Sequence, residues 1–476
     1  MNDIKKAIVQ WLEGEEAFFT DIAKQIWDQP QIAYEEAFAA DLQMNTLAKH
    51  GFRISPNIAD IPTAFYAEYG NGHPIIGILG EFDALPGLSQ KVSTTYDPVQ
   101  PNGPGHGCGH NLLGTAGVAA VIAIKKQIEA GTISGTIRYY GCPAEEVLSG
   151  KTFMARAGAF DDLACALTWH PWMYNGVMYM STQAMASINF NFKGIAAHAA
   201  GAPHTGRSAL DAVELMNVGA NYLREHVPDG SRIHYVITNG GLAPNIVPDE
   251  ASVWYYARAA SKSAVDDLIR RIRQVADGAA LMTETSVTSS ILANTYEYLP
   301  NDTINKALFE NMEALGAPSF TKEEHDFAAQ LLDTVDSKTI ESAKTMFGKR
   351  LNKPLPTDNI DTTDHTGVTM PGSSDVADVS WITPTAWVTT TCAPVGVLNH
   401  SWQATAAFGS TLGMKGMHYA AKTMAVTAYD LLSDQDLLKN AQREFKNQTK
   451  DQPYTCGIPD EIKPPAHQHT PPVTAI

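Results

Sequence analysis

Pro104-Gly-His-Gly-Cys-Gly-His-Asn111 lies between the apolar run Pro74-Ile-Ile-Gly-Ile-Leu-Gly80 and a long apolar segment that begins near Leu112. The upstream run reads as a buried strand, and the downstream segment reads as a helix to about residue 129. The loop between them sets a thiol and an imidazole two residues apart, and its glycines at 105, 107 and 109 let the backbone approach an ion closely. The positive end of the following helix favours a deprotonated sulfur. Alone, the loop reads equally as a glycine-rich turn with a buried thiol.

Working outward, the same rhythm recurs. The first strand ends at Glu81-Phe-Asp-Ala-Leu-Pro86. A second, Gly135-Thr-Ile-Arg-Tyr-Tyr-Gly141, runs into Cys142-Pro-Ala-Glu-Glu146. After a helix near 151–159, a third, Ala164-Cys-Ala-Leu-Thr168, runs into Trp169-His170-Pro171. Three strands that each deliver a polar cluster predict a mixed, doubly wound α/β sheet whose loops converge on one site. Helices are expected at 3–28 and 33–50 before it. From 184 the order becomes strand, helix, strand, strand, helix, strand (185–194, 207–226, 231–239, 251–259, 262–281, 284–295), a split βαβ sandwich. The expected layout is therefore a main α/β domain over 1–183 and 299–449, an inserted α+β domain over 184–298, and an irregular proline-rich tail over 450–476. The second half of the main domain should carry helices near 303–316, 322–334, 336–348 and 416–434, with a strand near 386–390.

The 476 residues, 44% hydrophobic and 18% charged, can bury a sizeable core in more than one domain. A net charge of −17 with scattered lysine and arginine argues against a nucleic-acid groove or an anionic membrane surface. Met1-Asn-Asp-Ile-Lys-Lys leads into an acidic amphipathic segment, and no run of eighteen apolar residues occurs, so a cytoplasmic location is expected. Five cysteines (108, 142, 165, 392 and 456) form no CxxC pair, which fits a reducing compartment.

Cys108, His110, Glu146, His170 and His400 offer one sulfur, three imidazoles and one carboxylate, all expected on loops. Such a set suffices for two divalent cations sharing a bridging thiolate, and its donor mix suits zinc as well as manganese or cobalt. Taken singly, each is an ordinary structural histidine or surface carboxylate; their coincidence at strand ends is what points to metal. Glu145 points a different way from Glu146, so one can bind metal while the other takes a proton from an attacking water and passes it to a leaving amine. The plainer reading of the pair is two solvated glutamates at a helix start. Asp83 is either the partner of a ligand imidazole or a turn aspartate. Ser149-Gly-Lys-Thr152 imitates the end of a phosphate loop, but Glu145 stands where its first glycine is required. A Cys108 nucleophile assisted by His110 is a rival, although a histidine two residues away is better placed to share an ion.

These segments, with Gly105-His-Gly-Cys-Gly-His-Asn-Leu-Leu-Gly114, Lys193-Gly-Ile-Ala-Ala-His-Ala-Ala200, Gly206-Arg-Ser-Ala-Leu-Asp-Ala-Val213 and Asp378-Val-Ser-Trp381, resemble the M20 metallopeptidases. The likeness is to the amidohydrolase branch with a Cys-Gly-His loop, and it extends over nearly the whole chain. It implies a dinuclear zinc or manganese enzyme that hydrolyses the amide of an N-acyl amino acid such as p-aminobenzoyl-glutamate. By resemblance Cys108, His110, Glu146, His170 and His400 are the ligands, with Cys108 bridging, and Glu145 is the general base. The inserted domain becomes a lid and dimer interface carrying His198, which binds substrate or stabilises the oxyanion, with the partner subunit as a possible source. Asn245 and Arg258 match positions that bind a substrate carboxylate, a task that suits an arginine fork. Read alone, His198 is a polar loop residue and Arg258 a strand-edge charge. The chain departs from the family pattern at Glu81, where many members have histidine, at Asn111, where many have aspartate, and at Ala144 in place of glycine; none of these removes a donor. The implied partner is a second copy or a related subunit, and a non-catalytic, partner-dependent subunit is the competing function.

Overall fold

The computed structural model describes residues 1–346 and 348–465. Two helices, α1 (Asp3–Gly14) and α2 (Glu16–Asp28), replace the single one expected over 3–28. The chain leaves helical geometry at Glu15 (φ −105°, ψ 8°), which lets Leu12 and Phe19 both reach the core. After α3 (Ala37–Lys49) come two strands that the sequence reading does not contain, β1 (Arg53–Pro56) and β2 (Phe65–Asn71). The expected apolar strand follows as β3 (Ile75–Glu81), buried along its whole length. Next are α4 (His110–Glu129), β4 (Gly135–Cys142), α5 (Gly150–Arg156), β5 (Cys165–Trp172), β6 (Asn175–Val177) and β7 (Ser181–Thr182).

The inserted unit comprises β8 (Ala184–Lys193), α6 (Ala209–Leu223), β9 (Arg232–Asn239), β10 (Glu250–Ala259), α7 (Lys262–Thr283) and β11 (Ser286–Thr295). Its antiparallel sheet has the order β11-β8-β10-β9. Ile188, Phe190, Val253 and Tyr255 pack against Ala212, Met216, Leu268 and Ile272 of the two helices in a core of their own. Ser208 and Ser261 cap α6 and α7 by accepting the Asp211 and Ala264 N–H groups.

The chain then returns through α8 (Asp302–Leu315), α9 (Lys322–Leu332), α10 (Ser337–Met346), β12 (Asn359–Ile360), β13 (Thr369–Met370), α11 (Val376–Ser380) and β14 (Thr385–Thr391). It ends in α12 (Trp402–Gly409), α13 (Thr411–Ser433) and α14 (Gln435–Thr449). The helix expected at 416–434 is thus longer and is flanked by two others. α14 escapes a hydrophobic-pattern reading because it buries little beyond Leu438 and Ala441.

The main sheet has the order β1-β2-β4-β3-β5-β14-β6-β12, with β4, β3, β5 and β14 parallel and β2 and β6 antiparallel to their inner neighbours. Alternating residues of β3 feed two cores: Ile76 and Ile78 face α4 and α13, whereas Ile75 and Leu79 face Phe153 and Phe160. The chain leaves β3 for β4 on one side and reaches β5 on the other, so the ends of three strands open at one topological switch point.

Residues 450–465 are irregular yet docked. Ile458 is buried, and the Arg156 guanidinium donates to the Pro459 and Ile462 carbonyls at 2.8 and 2.9 Å. Residues 466–476 of the expected tail lie outside the described residues. Among the described residues no helix is long and apolar enough to cross a membrane.

Candidate active site

Asp83, just past β3, ties three segments together. Its Oδ1 lies 2.9 Å from His110 Nδ1, and its Oδ2 accepts the Glu146 N–H at 2.9 Å. With Nδ1–H donated to Asp83, His110 presents the lone pair of Nε2, which is buried and has no hydrogen-bond partner. In His170, Nδ1 lies 2.8 Å from the Pro171 carbonyl, and Nε2 is left 3.4 Å from Cys108 Sγ.

Three of the five expected donors are not on loops: Glu146 lies in the single 3-10 turn Glu145–Val147. His110 is the first residue of α4, because Gly109 (φ +77°) turns the chain directly into the helix. His170 lies inside β5, which continues to Trp172 through its pairing with β14. A side chain at 109 would be strained by that φ and would bring its Cβ to 2.9 Å from Pro171 Cγ. Gly109→Ala should therefore cost about 1–3 kcal/mol in denaturant unfolding, and it should loosen metal binding by displacing Cys108 and His110 together.

Glu146 and His400 complete the set. Glu146 Oε2 lies 3.3 Å from His400 Nε2, and Glu146 Oε1 is buried without a partner. The His400 N–H donates to the Gly107 carbonyl at 2.8 Å, clamping the late loop onto the glycine-rich one. The donor atoms of Cys108, His110 and His170 lie within 4.8 Å of one another, as do those of Cys108, Glu146 and His400. One sulfur is thus common to two groups of three. The orphaned His110 Nε2 and Glu146 Oε1 are costly where they stand, and a cation in each group would satisfy them. The residues present therefore fit a dinuclear metal centre.

The electrostatics follow from the packing. Burial opposes ionisation of Cys108, but His170 and His110 outweigh it and hold the thiol well below its usual range. Burial and the Cys108 charge push Glu146 up to about 7. Hydrogen bonds to Cys108 and Glu146 raise His400 to about 11. Glu145, also buried, is pushed well above the usual carboxylate range by desolvation, then by Glu81 and Asp375. Cations would reverse much of this by adding positive charge among the carboxylates.

Behind the donors stands a network absent from the sequence reading of the site. Lys151 Nζ, fully buried, is 2.6 Å from both Glu81 Oε1 and Asp375 Oδ1. The available signal was slight: a lysine two residues before the apolar pair Phe153-Met154, in a seven-residue helix whose positions 150–155 are all buried.

The three residues expected on the inserted domain stand apart. His198 is exposed, and its Nδ1 accepts the Ala200 and Gly201 N–H groups at 3.2 and 2.9 Å. The Asn245 carbonyl accepts the Ala199 N–H at 3.0 Å, so these two loops adjoin. Arg258 Nη1 is 3.3 Å from Ser373 Oγ, and its neighbour on the same strand face, Tyr256, packs against Leu148. Among the described residues no hydrogen bond or ion pair joins His198, Asn245 or Arg258 to the five donors.

Comparison with known proteins gives this geometry its context. The peptidase dimerisation domain profile matches residues 181–283. One of the subunits of p-aminobenzoyl-glutamate hydrolase from Escherichia coli K12 is 42% identical over 98% of this chain and 99% of its own length. The chain belongs to the M20 peptidase family. Human Xaa-Arg dipeptidase is 29% identical over 92% of this chain and 91% of its own length. In fold, the M20 chain matches an aminobenzoyl-glutamate utilization protein from Klebsiella pneumoniae (TM-score 0.62, 17% identity, 89% of this chain and 98% of that one). It also matches a dinuclear metal binding M20 peptidase from Bacillus subtilis (TM-score 0.53, 15% identity, 87% and 99%). This M20 protein is a metal-dependent amidohydrolase, with an α/β catalytic domain and an inserted dimerisation domain.

Proposed function

We propose that this chain hydrolyses the amide bond between an acyl group, preferably aromatic, and an amino acid, preferably glutamate or aspartate. The observation that carries the reading is the single buried sulfur shared by two donor groups, with Glu145 directly beside the donor Glu146. Cys108, His110 and His170 would hold one ion, and Cys108, Glu146 and His400 the other, zinc and manganese being the ions that suit these donors. Bound there, divalent cations would supply Lewis-acid polarisation of the scissile carbonyl and charge stabilisation for the developing oxyanion. Glu145 accepts the proton of the attacking water at its carboxylate and returns it to the departing nitrogen, which leaves as an amine. Asp83 fixes the His110 ring throughout. Arg258 and Asn245 receive the substrate's carboxylate, and His198, from this chain or its partner, steadies the oxyanion.

The catalytic domain takes 1–183 and 299–449, the lid 184–298 and the tail 450–476, and the protein works in the cytoplasm. Its partner is a second copy or, since the 42% relative is named as a subunit, a related chain. The contact surface is the free edge of β9 with Ile237, flanked by exposed Val218 and Tyr222 of α6. Ile237→Asp should convert the dimer to monomer in analytical ultracentrifugation; an unchanged dimer would rule that surface out.

The deciding assay gives the purified protein manganese or zinc and a panel of N-acyl amino acids. Release of p-aminobenzoate and glutamate from p-aminobenzoyl-glutamate is the expected result. No turnover across the panel would end the reading, while turnover only after a related subunit is added would identify a partner-dependent enzyme.

A further inference from the structure

The turn over 143–149, which carries Glu145 and Glu146, is held from outside as well as by its own bonds. Ala144 enters it at φ +57° and Leu148 leaves it at φ +55°, left-handed positions that a side chain makes costly. Both ends are gripped by one short stretch between α2 and α3. Glu36 Oε1 accepts the Ala144 N–H at 2.9 Å, and Tyr34 Oη lies 2.6 Å from Ser149 Oγ. The same stretch reaches the cluster after β3, since the Gln31 carbonyl accepts the Ala84 N–H at 2.8 Å.

Glu36 stands where a carboxyl is costly. It is fully buried, and among the described residues no ion pair reaches it. Its Oε1 also accepts the Tyr34 N–H at 2.8 Å, and its Oε2 accepts the Thr63 hydroxyl at 3.0 Å. Burial, with the charge of Asp83 adding to it, pushes this carboxyl up to about 8. Although Glu36 directly precedes α3, its side chain caps no N–H of that helix. Its hydrogen bonds go instead to two left-handed residues, Tyr34 (φ +67°) and Ala144, the latter 108 positions along the chain. One oxygen thus clamps two strained points of the backbone together.

We infer that Glu36 is a positioning residue for hydrolysis: its clamp on Ala144 fixes the turn that aims Glu145 at the attacking water and Glu146 at its cation. The inference rests on the reading of Glu145 as the base and Glu146 as a donor. Glu36 belongs to none of the donor groups and acts through the backbone. Asp83 accepts the Glu146 N–H, and Glu36 accepts the Ala144 N–H two residues earlier, so two separate carboxylates pin the turn. Ala144 has a Cβ, so no glycine freedom supplies its left-handed conformation, and the clamp must.

The test compares full-length wild type, Glu36→Ala and Glu36→Gln, measuring hydrolysis of p-aminobenzoyl-glutamate by the zinc-loaded proteins and stepwise zinc affinity against a chromophoric chelator. In Glu36→Ala kcat should fall about tenfold to a hundredfold with KM within about twofold, because displaced groups lose their fit to the transition state. One zinc step should weaken about tenfold, the same step that Glu146→Gln weakens, while the other stays within about twofold. Glutamine keeps an oxygen for the two N–H groups, and the Thr63 hydroxyl can turn to accept from its amide. Glu36→Gln should therefore recover kcat to within about threefold of wild type. An unchanged kcat in Glu36→Ala, equal weakening of both zinc steps or of neither, or a Glu36→Gln as impaired as Glu36→Ala would overturn the inference. Should Glu36→Ala fail to fold, Glu36→Asp, whose shorter side chain draws back from Ala144, should show the same losses. A wild type that binds zinc without turnover would remove the hydrolysis, and the selective loss of one zinc step would still decide the role of Glu36.

Discussion

Glu145→Gln should lower kcat by about 10²–10⁴ while leaving the bound metal unchanged. The amide is nearly the same size as the carboxylate and can occupy its buried place, but it cannot accept the proton of the attacking water. Its neighbour Glu146 is unaltered, with its N–H on Asp83 and Oε2 beside His400, so the donor groups persist. Single-turnover rates measured together with elemental metal analysis separate the two effects. Full activity in the variant would remove Glu145 from the reaction, and loss of metal along with activity would make it a ligand instead of a base.

The second large effect concerns stability. Lys151→Met should cost about 3–5 kcal/mol in urea unfolding, because it removes the ammonium from between two buried carboxylates and leaves their charge uncompensated. Burial already pushes Asp375 up to about 6 with Lys151 in place. If uncompensated charge is the cause, adding Glu81→Gln and Asp375→Asn to Lys151→Met should recover a measurable part of the loss. A cost below about 1 kcal/mol for the single substitution would mean that the pair is not sustained in solution.

Much of this arrangement was legible in the sequence because it is written locally. Apolar runs followed by polar clusters mark β3, β4 and β5, and the change of rhythm after 184 marks the inserted sheet and its two helices. Side-chain chemistry at the strand ends was enough to select Cys108, His110, Glu146, His170 and His400. What escaped depends on distant partners. β2 buries Phe65 and Ala67 but carries Glu68 and Gly70 between the sheet and the surface, so no clean alternation announces it. His170 belongs to β5 only because Thr389 of β14 pairs with it. Lys151 looked like a fragment of a phosphate loop, since Asp375, which holds it, is 224 residues away. The lid residues His198, Asn245 and Arg258 carry no local signal of a shared task, and resemblance alone selected them.

The metal content of the purified wild type beside Cys108→Ser is the most direct test of the shared sulfur. Two divalent ions per wild-type chain are predicted, one for each donor group, with both weakened by the single substitution because Cys108 belongs to both. Fewer than one ion in the wild type, or two equally tight ions in Cys108→Ser, would contradict the account.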